Sequence, residues 1–177
     1  MEKLIKRAKE GDKDAFTQAV LLIKNNLYKI AKVRTSNEDD IQDIMQDTMI
    51  DAYKYIKKLK EPNKFKPWII KILINNCNKY YKKYYLQENY DLEFYKENIK
   101  YNNNEQLIED TLNFYEMIKQ LKYEERIIIV LYYGEKYTTK EISNILNVNE
   151  NTIKTRLSRA KEKVKNTYEG KGGRING

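Results

Sequence analysis

Residues 138–159 read TTKEISNILNVNENTIKTRLSR, a pattern typical of two short helices joined by a tight turn. Thr138, with Glu141 three residues later, predicts a capping box at the start of the first helix. Asn147 tolerates the left-handed backbone that such a turn requires, and Asn149 is a candidate N-cap for the second helix. The apolar residues of the inner faces keep helical spacing: Ile142, Ile145, Leu146, Ile153 and Leu157. This spacing predicts a helix-turn-helix.

The outer face of the second predicted helix carries side chains that suit the base edges and phosphates of DNA. They are Asn151, Thr152, Lys154, Thr155, Arg156, Ser158 and Arg159. Residues 147–169 hold six basic and three acidic residues. These features favour DNA binding by the second helix. The alternative is an ordinary helical hairpin with a basic, solvent-exposed face.

The composition fits a nucleic-acid partner and argues against several other classes. The 177 residues include 34 Lys and Arg against 26 Asp and Glu, a net charge of +8. This balance suits nucleic acid or an anionic membrane surface, although lysine-rich solvated faces produce it as well. The chain has no histidine, and Cys77 is its single cysteine. The usual zinc sites and Cys/His or Ser/His catalysis are therefore excluded, and we expect no enzyme activity, metal or cofactor.

The sequence contains no apolar run of the roughly 18 residues that a membrane span needs, and no signal-peptide core. We therefore expect a cytoplasmic protein without membrane insertion. Only two prolines and six glycines interrupt the chain, which favours long helices and an all-α fold.

The apolar periodicity predicts two helices within residues 1–34, separated at Gly11-Asp12. The second of them begins near Asp14 and presents its apolar residues at helical spacing: Phe16, Val20, Ile23, Leu27 and Ala31. Asn37 is a candidate N-cap for the next helix, which Pro62 stops. Further helices are predicted over 37–60, 65–83, 106–120, 123–133, 139–146 and 149–168. Residues 84–105 show weak periodicity and are interpreted as a linker, or alternatively as a short polar helix.

Two neighbouring predicted helices carry opposite charge. Residues 36–51 contain six acids and no Lys or Arg, whereas residues 60–83 contain seven lysines and one acid. The acidic helix suits a basic or polar protein surface. The lysines, interleaved with Trp68 and with Tyr80-Tyr81, suit a strand of DNA. The alternatives are a solvated acidic face and a tryptophan that packs in the core.

Three segments of the chain resemble the sigma-70 family of RNA polymerase sigma factors. Residues 43–48, DIMQDT, followed by Ala52-Tyr53, resemble the core-binding helix of that family. Residues 65–75, FKPWIIKILIN, resemble its promoter −10 helix, and residues 141–160 resemble its −35 helix-turn-helix. The segments occur in the family's order and cover most of the chain. The resemblance is to the small extracytoplasmic-function (ECF) group, which keeps only the second and fourth sigma domains.

The resemblance implies two small helical domains joined by a flexible acidic linker. Residues 1–83 would form a sigma-2-like domain that binds core polymerase and recognises the −10 element. Residues 84–105 would be the linker. Residues 106–169 would form a sigma-4-like helix-turn-helix domain that recognises the −35 element, and residues 170–177 a disordered tail.

The resemblance also implies binding residues and partners. The core-polymerase contacts would be Asp43, Gln46, Asp47 and Tyr53. The −10 contacts would be Asn63, Lys64, Lys66, Trp68, Asn75, Asn76, Lys79 and Lys82. The −35 contacts would be Thr139, Asn149, Asn151, Thr152, Lys154, Thr155, Arg156 and Arg159. The implied partners are RNA polymerase core, promoter DNA and an anti-sigma factor, because many relatives are held inactive by such a protein.

Two positions depart from the family pattern. Asn147 replaces a glycine that is common at the turn, and Ile74 stands where an arginine or another polar residue is common, which puts a DNA contact there in question. The residues also leave two other functions open. One is a stand-alone helix-turn-helix regulator that dimerises through its N-terminal helices. The other is an RNA-binding or scaffold protein that uses its Tyr/Lys surface.

Overall fold

A computed structural model of the chain describes residues 1–84, 114–115 and 117–172. These residues are mainly helical and include no β-strand, and the chain divides into two compact units, Met1–Asn98 and Ile99–Gly177. The predicted all-α fold with two helical domains is therefore confirmed. The predicted linker over 84–105 lies outside the described residues except for Tyr84, so its bounds stay a prediction.

The N-terminal unit contains five α-helices among the described residues: α1 Glu2–Lys9, α2 Lys13–Leu21, α3 Lys24–Ala31, α4 Glu38–Tyr55 and α5 Phe65–Tyr84. Two short 3-10 helices, Ile56–Lys58 and Pro62–Lys64, join α4 to α5. Helix α5 packs against both α3 and α4. Fully buried side chains from these three helices form the core: Leu27, Ile30, Ile41, Ile44, Phe65, Ile69, Ile70 and Leu73.

The side chain of Asn37 caps the N-terminus of α4. Asn37 Oδ1 accepts hydrogen bonds from the backbone N–H groups of Asp39, at 2.9 Å, and Asp40, at 3.3 Å. Three acids in the first turn face the positive end of the helix dipole. The predicted N-cap is confirmed. The α-helix ends at Tyr55 rather than continuing to residue 60, because the chain tightens into a 3-10 turn before Pro62.

The single helix predicted from Asp14 through Ala31 is wrong, because the chain turns between α2 and α3. Ile23 N–H bonds to the carbonyl oxygen of Val20, three residues back, at 3.0 Å, and its φ of −121° is not helical. Leu22 stays 64% exposed at this turn. The apolar residues of α2 and α3 are buried and keep the spacing of one continuous helix. Their spacing therefore did not indicate the turn between the two helices.

In the C-terminal unit, α6 Tyr123–Ile129 continues as a π-helix over Val130–Gly134. Helices α7 Thr139–Leu146 and α8 Glu150–Gly172 follow, and α8 extends three residues into the segment predicted to be a disordered tail. Helix α8 packs against both α6 and α7. The buried Glu125 of α6 accepts hydrogen bonds from Lys163 Nζ of α8 at 2.7 and 2.9 Å. This contact ties α8 to the start of α6.

Among the described residues of this unit, two that are not glycine adopt the left-handed backbone conformation. Asn147 has a φ of 54° and Lys136 a φ of 62°. The conformation at Asn147 confirms the prediction from the sequence. Lys136 was not expected there, because lysine carries no preference for this region of backbone space.

Lys136→Gly should raise the free energy of unfolding by up to about 1 kcal/mol, because glycine removes the clash of Cβ with the backbone. Urea denaturation followed by circular dichroism measures this change. Glu162→Gly is the control, since Glu162 is exposed inside α8, and it should lower the same free energy by about 1 kcal/mol. Equal losses in both variants would contradict strain at Lys136.

Candidate polymerase and promoter interfaces

The acidic residues of α4 divide into internal and exposed groups. Asp40 is 8% exposed and accepts hydrogen bonds from Tyr80 Oη at 2.9 Å and Thr35 Oγ1 at 3.1 Å. Burial, followed by the hydrogen bond to Asp40, raises the pKa of Tyr80, so its hydroxyl remains a donor. Glu38 accepts hydrogen bonds from Tyr28 Oη at 2.8 Å. Part of the acidic run therefore stabilises the unit instead of facing a partner.

The predicted polymerase contacts lie on the exposed side of α4. Asp43, Gln46 and Asp47 are exposed and line a groove of about 500 Å³ between α4 and α5. Tyr53, one turn beyond Met49 on the same helix, is 38% exposed, and its ring packs edge-on against Phe16 with centroids 5.2 Å apart. The structure thus places three of the four residues on one groove wall and Tyr53 further along the helix.

The predicted −10 contacts form two groups. Asn63 and Lys64 are exposed in the second 3-10 helix, next to the half-buried Lys66 and Trp68. The Trp68 ring lies 6.0 Å from that of the buried Phe65, so it packs partly against the core, as the alternative from sequence allowed. The second group follows along α5, where three predicted residues are exposed: Asn75, Lys79 and Lys82.

Asn76 differs from the other predicted −10 residues because it is only 5% exposed. Its Nδ2 donates to Asp51 Oδ2 at 3.1 Å and to Thr48 Oγ1 at 3.4 Å, both in α4. Its Oδ1 accepts from Lys79 Nζ at 3.4 Å. The amide is therefore engaged inside the unit, where it joins α4 to α5 and holds Lys79. Ile74, the unusual position in this helix, is also buried and packs in the core.

The helix-turn-helix has the local geometry that its sequence predicted. Glu141 N–H donates to Thr138 Oγ1 at 3.2 Å, and Thr138 N–H donates to Glu141 Oε2 at 2.9 Å, which completes the capping box. Asn147 turns the chain, and Asn149 Oδ1 accepts from Asn151 N–H at 2.9 Å at the start of α8. These predictions are confirmed.

All eight predicted −35 residues are at least partly exposed. Five are exposed: Asn149, Asn151, Lys154, Thr155 and Arg159. Three are half-buried: Thr139, Thr152 and Arg156. Except for Thr139, they occupy the start of α8 and its first three turns, as a recognition helix requires.

Models of two family regions match the chain in the order that the sequence predicted. Sigma-70 region 2 matches residues 21–85, and sigma-70 region 4 matches residues 111–164. The ECF sigma factor SigW of Bacillus subtilis is 30% identical over an alignment of 180 positions, which covers 93% of this chain and 95% of SigW. SigV of the same organism is 30% identical over 140 residues, which span 77% of this chain and 81% of SigV. The chain is an ECF sigma factor of the sigma-70 family.

A solved structure has the same fold as this ECF sigma factor. The sigma factor RpoE of Bartonella quintana, in a complex with the anti-sigma factor NepR, superposes with a TM-score of 0.71 at 22% identity. The match covers 87% of this chain and 96% of that one. The region 2 match contains α4 and α5, and the region 4 match contains α7 and the first four turns of α8.

No helix in the described part of this sigma factor is long and apolar enough to cross a membrane. Over the same residues, no group of three or more His, Cys, Asp or Glu side chains is placed to hold a metal ion. Burial raises the pKa of Cys77 to about 12, so its thiol stays protonated inside the N-terminal unit.

Sequence reasoning missed Glu150, the first residue of α8. Its Oε1 accepts a hydrogen bond from Thr139 Oγ1 at 2.9 Å and lies 3.1 Å from Lys154 Nζ. The spacing of four residues between Glu150 and Lys154 is the signal that could have indicated the pair. The contact with Thr139 joins α7 to α8, and no short-range pattern in the sequence indicates it. A carboxylate therefore lies among the predicted −35 contacts of this sigma factor.

Asn76→Ala should lower the free energy of unfolding of the N-terminal unit by about 1–3 kcal/mol, because it leaves Thr48 and Asp51 without their donor. Chemical denaturation followed by circular dichroism measures the loss. Asn75→Ala is the matched control, since Asn75 is exposed and its change should stay within about 0.5 kcal/mol. Similar stability of the two variants would show that the contacts of Asn76 contribute nothing.

Proposed function

We propose that this ECF sigma factor binds RNA polymerase core through the exposed side of α4 and directs initiation at promoters that α5 and α8 recognise. The proposal rests on the observation that one chain contains two units with different candidate binding surfaces. One has an exposed acidic face beside a lysine-bearing helix, and the other is a capped helix-turn-helix. The SigW match over nearly the whole length of both proteins supports it.

Docking on core is assigned to Asp43, Gln46, Asp47 and Tyr53. Three of them are exposed on one groove wall, and acidic side chains that stay unburied within their own unit suit a basic surface on the partner. Charge complementarity of this kind speeds association and selects the partner. The acids that fold the unit, Asp40 and Asp51, are left out of this contact.

Recognition of the −10 element is assigned to the second 3-10 helix and the exposed side of α5. The loop from Leu59 to Lys66, with Asn63, Lys64 and Lys66, would hold an unpaired base of the melted strand. Trp68 would contact the same strand, since an aromatic ring and cations suit bases and phosphates. Capture of that base offsets an unstacking cost of a few kcal/mol. Further contacts come from exposed residues of α5: Asn75, Lys79 and Lys82. Asn76 supports them from inside by holding Lys79.

Recognition of the −35 element is assigned to α8, which enters the major groove with its N-terminal turns. The residues that contact DNA there are Thr139, Asn149, Asn151, Thr152, Lys154, Thr155, Arg156 and Arg159. Residues 84–105 connect this domain, 106–169, to the sigma-2-like domain, 1–83. Each domain makes few contacts, so DNA affinity without core is weak and falls with salt.

The sigma factor acts without covalent chemistry and works in the cytoplasm, where polymerase and DNA meet. An anti-sigma factor is a further partner, by analogy with the NepR complex of RpoE. A stand-alone regulator is not favoured, because that function would explain neither the match to sigma-70 region 2 nor the exposed acidic side of α4.

Competition for core polymerase tests the proposal. The fluorescently labelled chain is titrated with Bacillus subtilis core, and unlabelled SigW is then added. We expect saturable binding that SigW displaces, because both proteins would occupy the same surface. Tight binding of the labelled chain to a symmetric DNA site without core, with no binding to core, would instead support the stand-alone regulator.

A further inference from the structure

Glu150 occupies a position from which it can touch DNA bases. It is the first residue of α8, and the N-terminal residues of a recognition helix contact base edges in the major groove. Its side chain is 36% exposed. Predicted −35 contacts lie on both sides of it, at Asn149 and Asn151. An acidic side chain here is unexpected, because phosphates repel it.

The carboxylate is held in place by donors from two helices. Thr139 Oγ1, at the start of α7, lies 2.9 Å from Glu150 Oε1, and Lys154 Nζ, one turn along α8, lies 3.1 Å from the same oxygen. These two contacts restrain the side chain in one orientation. Both are made to Oε1, so the other oxygen, Oε2, keeps its capacity to accept a hydrogen bond.

The carboxylate is ionised at neutral pH. The hydrogen bond from Lys154, followed by that from Thr139, lowers the pKa of Glu150 below its usual value. An ionised carboxylate accepts hydrogen bonds and cannot donate them. It therefore suits only those base edges that present an amino group.

The major groove offers such a donor on two bases. Cytosine presents the N4 amino group, whereas adenine presents its N6 amino group beside the N7 acceptor, which repels a carboxylate. Guanine presents only acceptors there, and thymine an acceptor and a methyl group. We propose that Glu150 is a specificity-determining residue that selects a cytosine within the −35 element. This inference rests on the proposed function of α8.

The negative charge also has a general effect on DNA affinity. It pairs with Lys154 in the free protein. It would also repel the phosphates of a duplex bound to α8. Glu150→Gln removes the charge but keeps the shape of the side chain. This variant should bind all sequences as tightly as the wild type or more tightly, except those with the selected cytosine.

The test is a binding competition with holoenzyme, reconstituted from core and the full chain, on duplexes that carry each of the four bases at every −35 position. The wild type should prefer cytosine at one position by about fivefold or more. Glu150→Gln should weaken the preference for cytosine at that position and raise the preference for adenine, because a glutamine amide matches the N6 donor and N7 acceptor of adenine. The preferences at the other positions should stay the same. Thr139→Val, which removes one of the two restraining contacts, should weaken the same preference. It should also lower the affinity for every duplex to a similar extent, because Thr139 is itself assigned as a −35 contact.

Glu162→Gln is the matched control, because Glu162 is an exposed acid further along α8, and it should leave every preference intact. Circular dichroism establishes that the variants fold. An unchanged base profile in Glu150→Gln, or an equal change at every position, would overturn the role of Glu150 while leaving the proposed function in place. A wild-type holoenzyme that binds every −35 variant equally would overturn the proposed function as well.

Discussion

Asp43→Lys should weaken binding to core polymerase by at least about 30-fold, because it places a positive charge against a surface that is expected to be basic. Asp43 is exposed on the groove wall of α4, beside Gln46 and Asp47. It takes no part in the hydrogen bonds that hold α4 to α5, which involve Asp40 and Asp51. Titration of the labelled chain with core measures the affinity.

The control for this variant is Asp14→Lys, which makes the same change of charge at an exposed position in the first turn of α2. It should retain nearly full affinity for core. The circular dichroism spectra of both variants should match that of the wild type. Asp14→Lys should lower the melting temperature by a few degrees, because a cation in the first turn of α2 opposes the helix dipole. If Asp43→Lys bound core normally, the assignment of the acidic side of α4 would be wrong. If it lost its fold, Asp43 would be a structural residue.

Arg156→Ala should weaken the binding of holoenzyme to its promoter by about 1–3 kcal/mol and relax discrimination at one −35 position. Arg156 is half-buried in the second turn of α8 and lies among the residues predicted to contact the −35 element. Its guanidinium presents paired donors that match the N7 and O6 acceptors of guanine. Competition between matched and mismatched −35 duplexes measures both effects.

Lys24→Ala is the control for this loss of charge, since Lys24 is an exposed residue of α3 in the other unit. It should leave promoter binding unchanged. If Arg156 touches only phosphate, the loss will be equal on matched and mismatched duplexes, and the slope of log affinity against log salt will fall by about 1. Unchanged binding on both duplexes would remove Arg156 from the interface.

Local signals in the sequence were reliable where one side chain determines the backbone. Asn37 and Thr138 cap their helices as expected, because a side-chain oxygen at that position can satisfy the free N–H groups of the first turn. Asn147 adopts the left-handed turn for a similarly local reason. The order of the helices, and hence the faces that carry the candidate sites, could therefore be predicted.

Features that depend on tertiary contacts could not be predicted in the same way. The six acids of residues 36–51 look alike in sequence, yet Asp40 accepts from Tyr80, 40 residues away, and Asp51 accepts from Asn76. Asn76 resembles a surface residue and is buried for this reason. Glu150 likewise gains its partner Thr139 only when α7 and α8 pack. Sequence patterns report periodicity and caps, but not which polar groups find each other across helices.

Run-off transcription from genomic DNA fragments, with purified core polymerase in the presence and absence of this chain, tests the central claim most directly. We predict discrete start sites only when both proteins are present, and their alignment should reveal shared −35 and −10 sequences upstream. Asp43→Lys should abolish these transcripts, and Asp14→Lys should retain them. The same transcripts with core alone, or no transcripts with both proteins present, would contradict the assignment of promoter-specific initiation to this sigma factor.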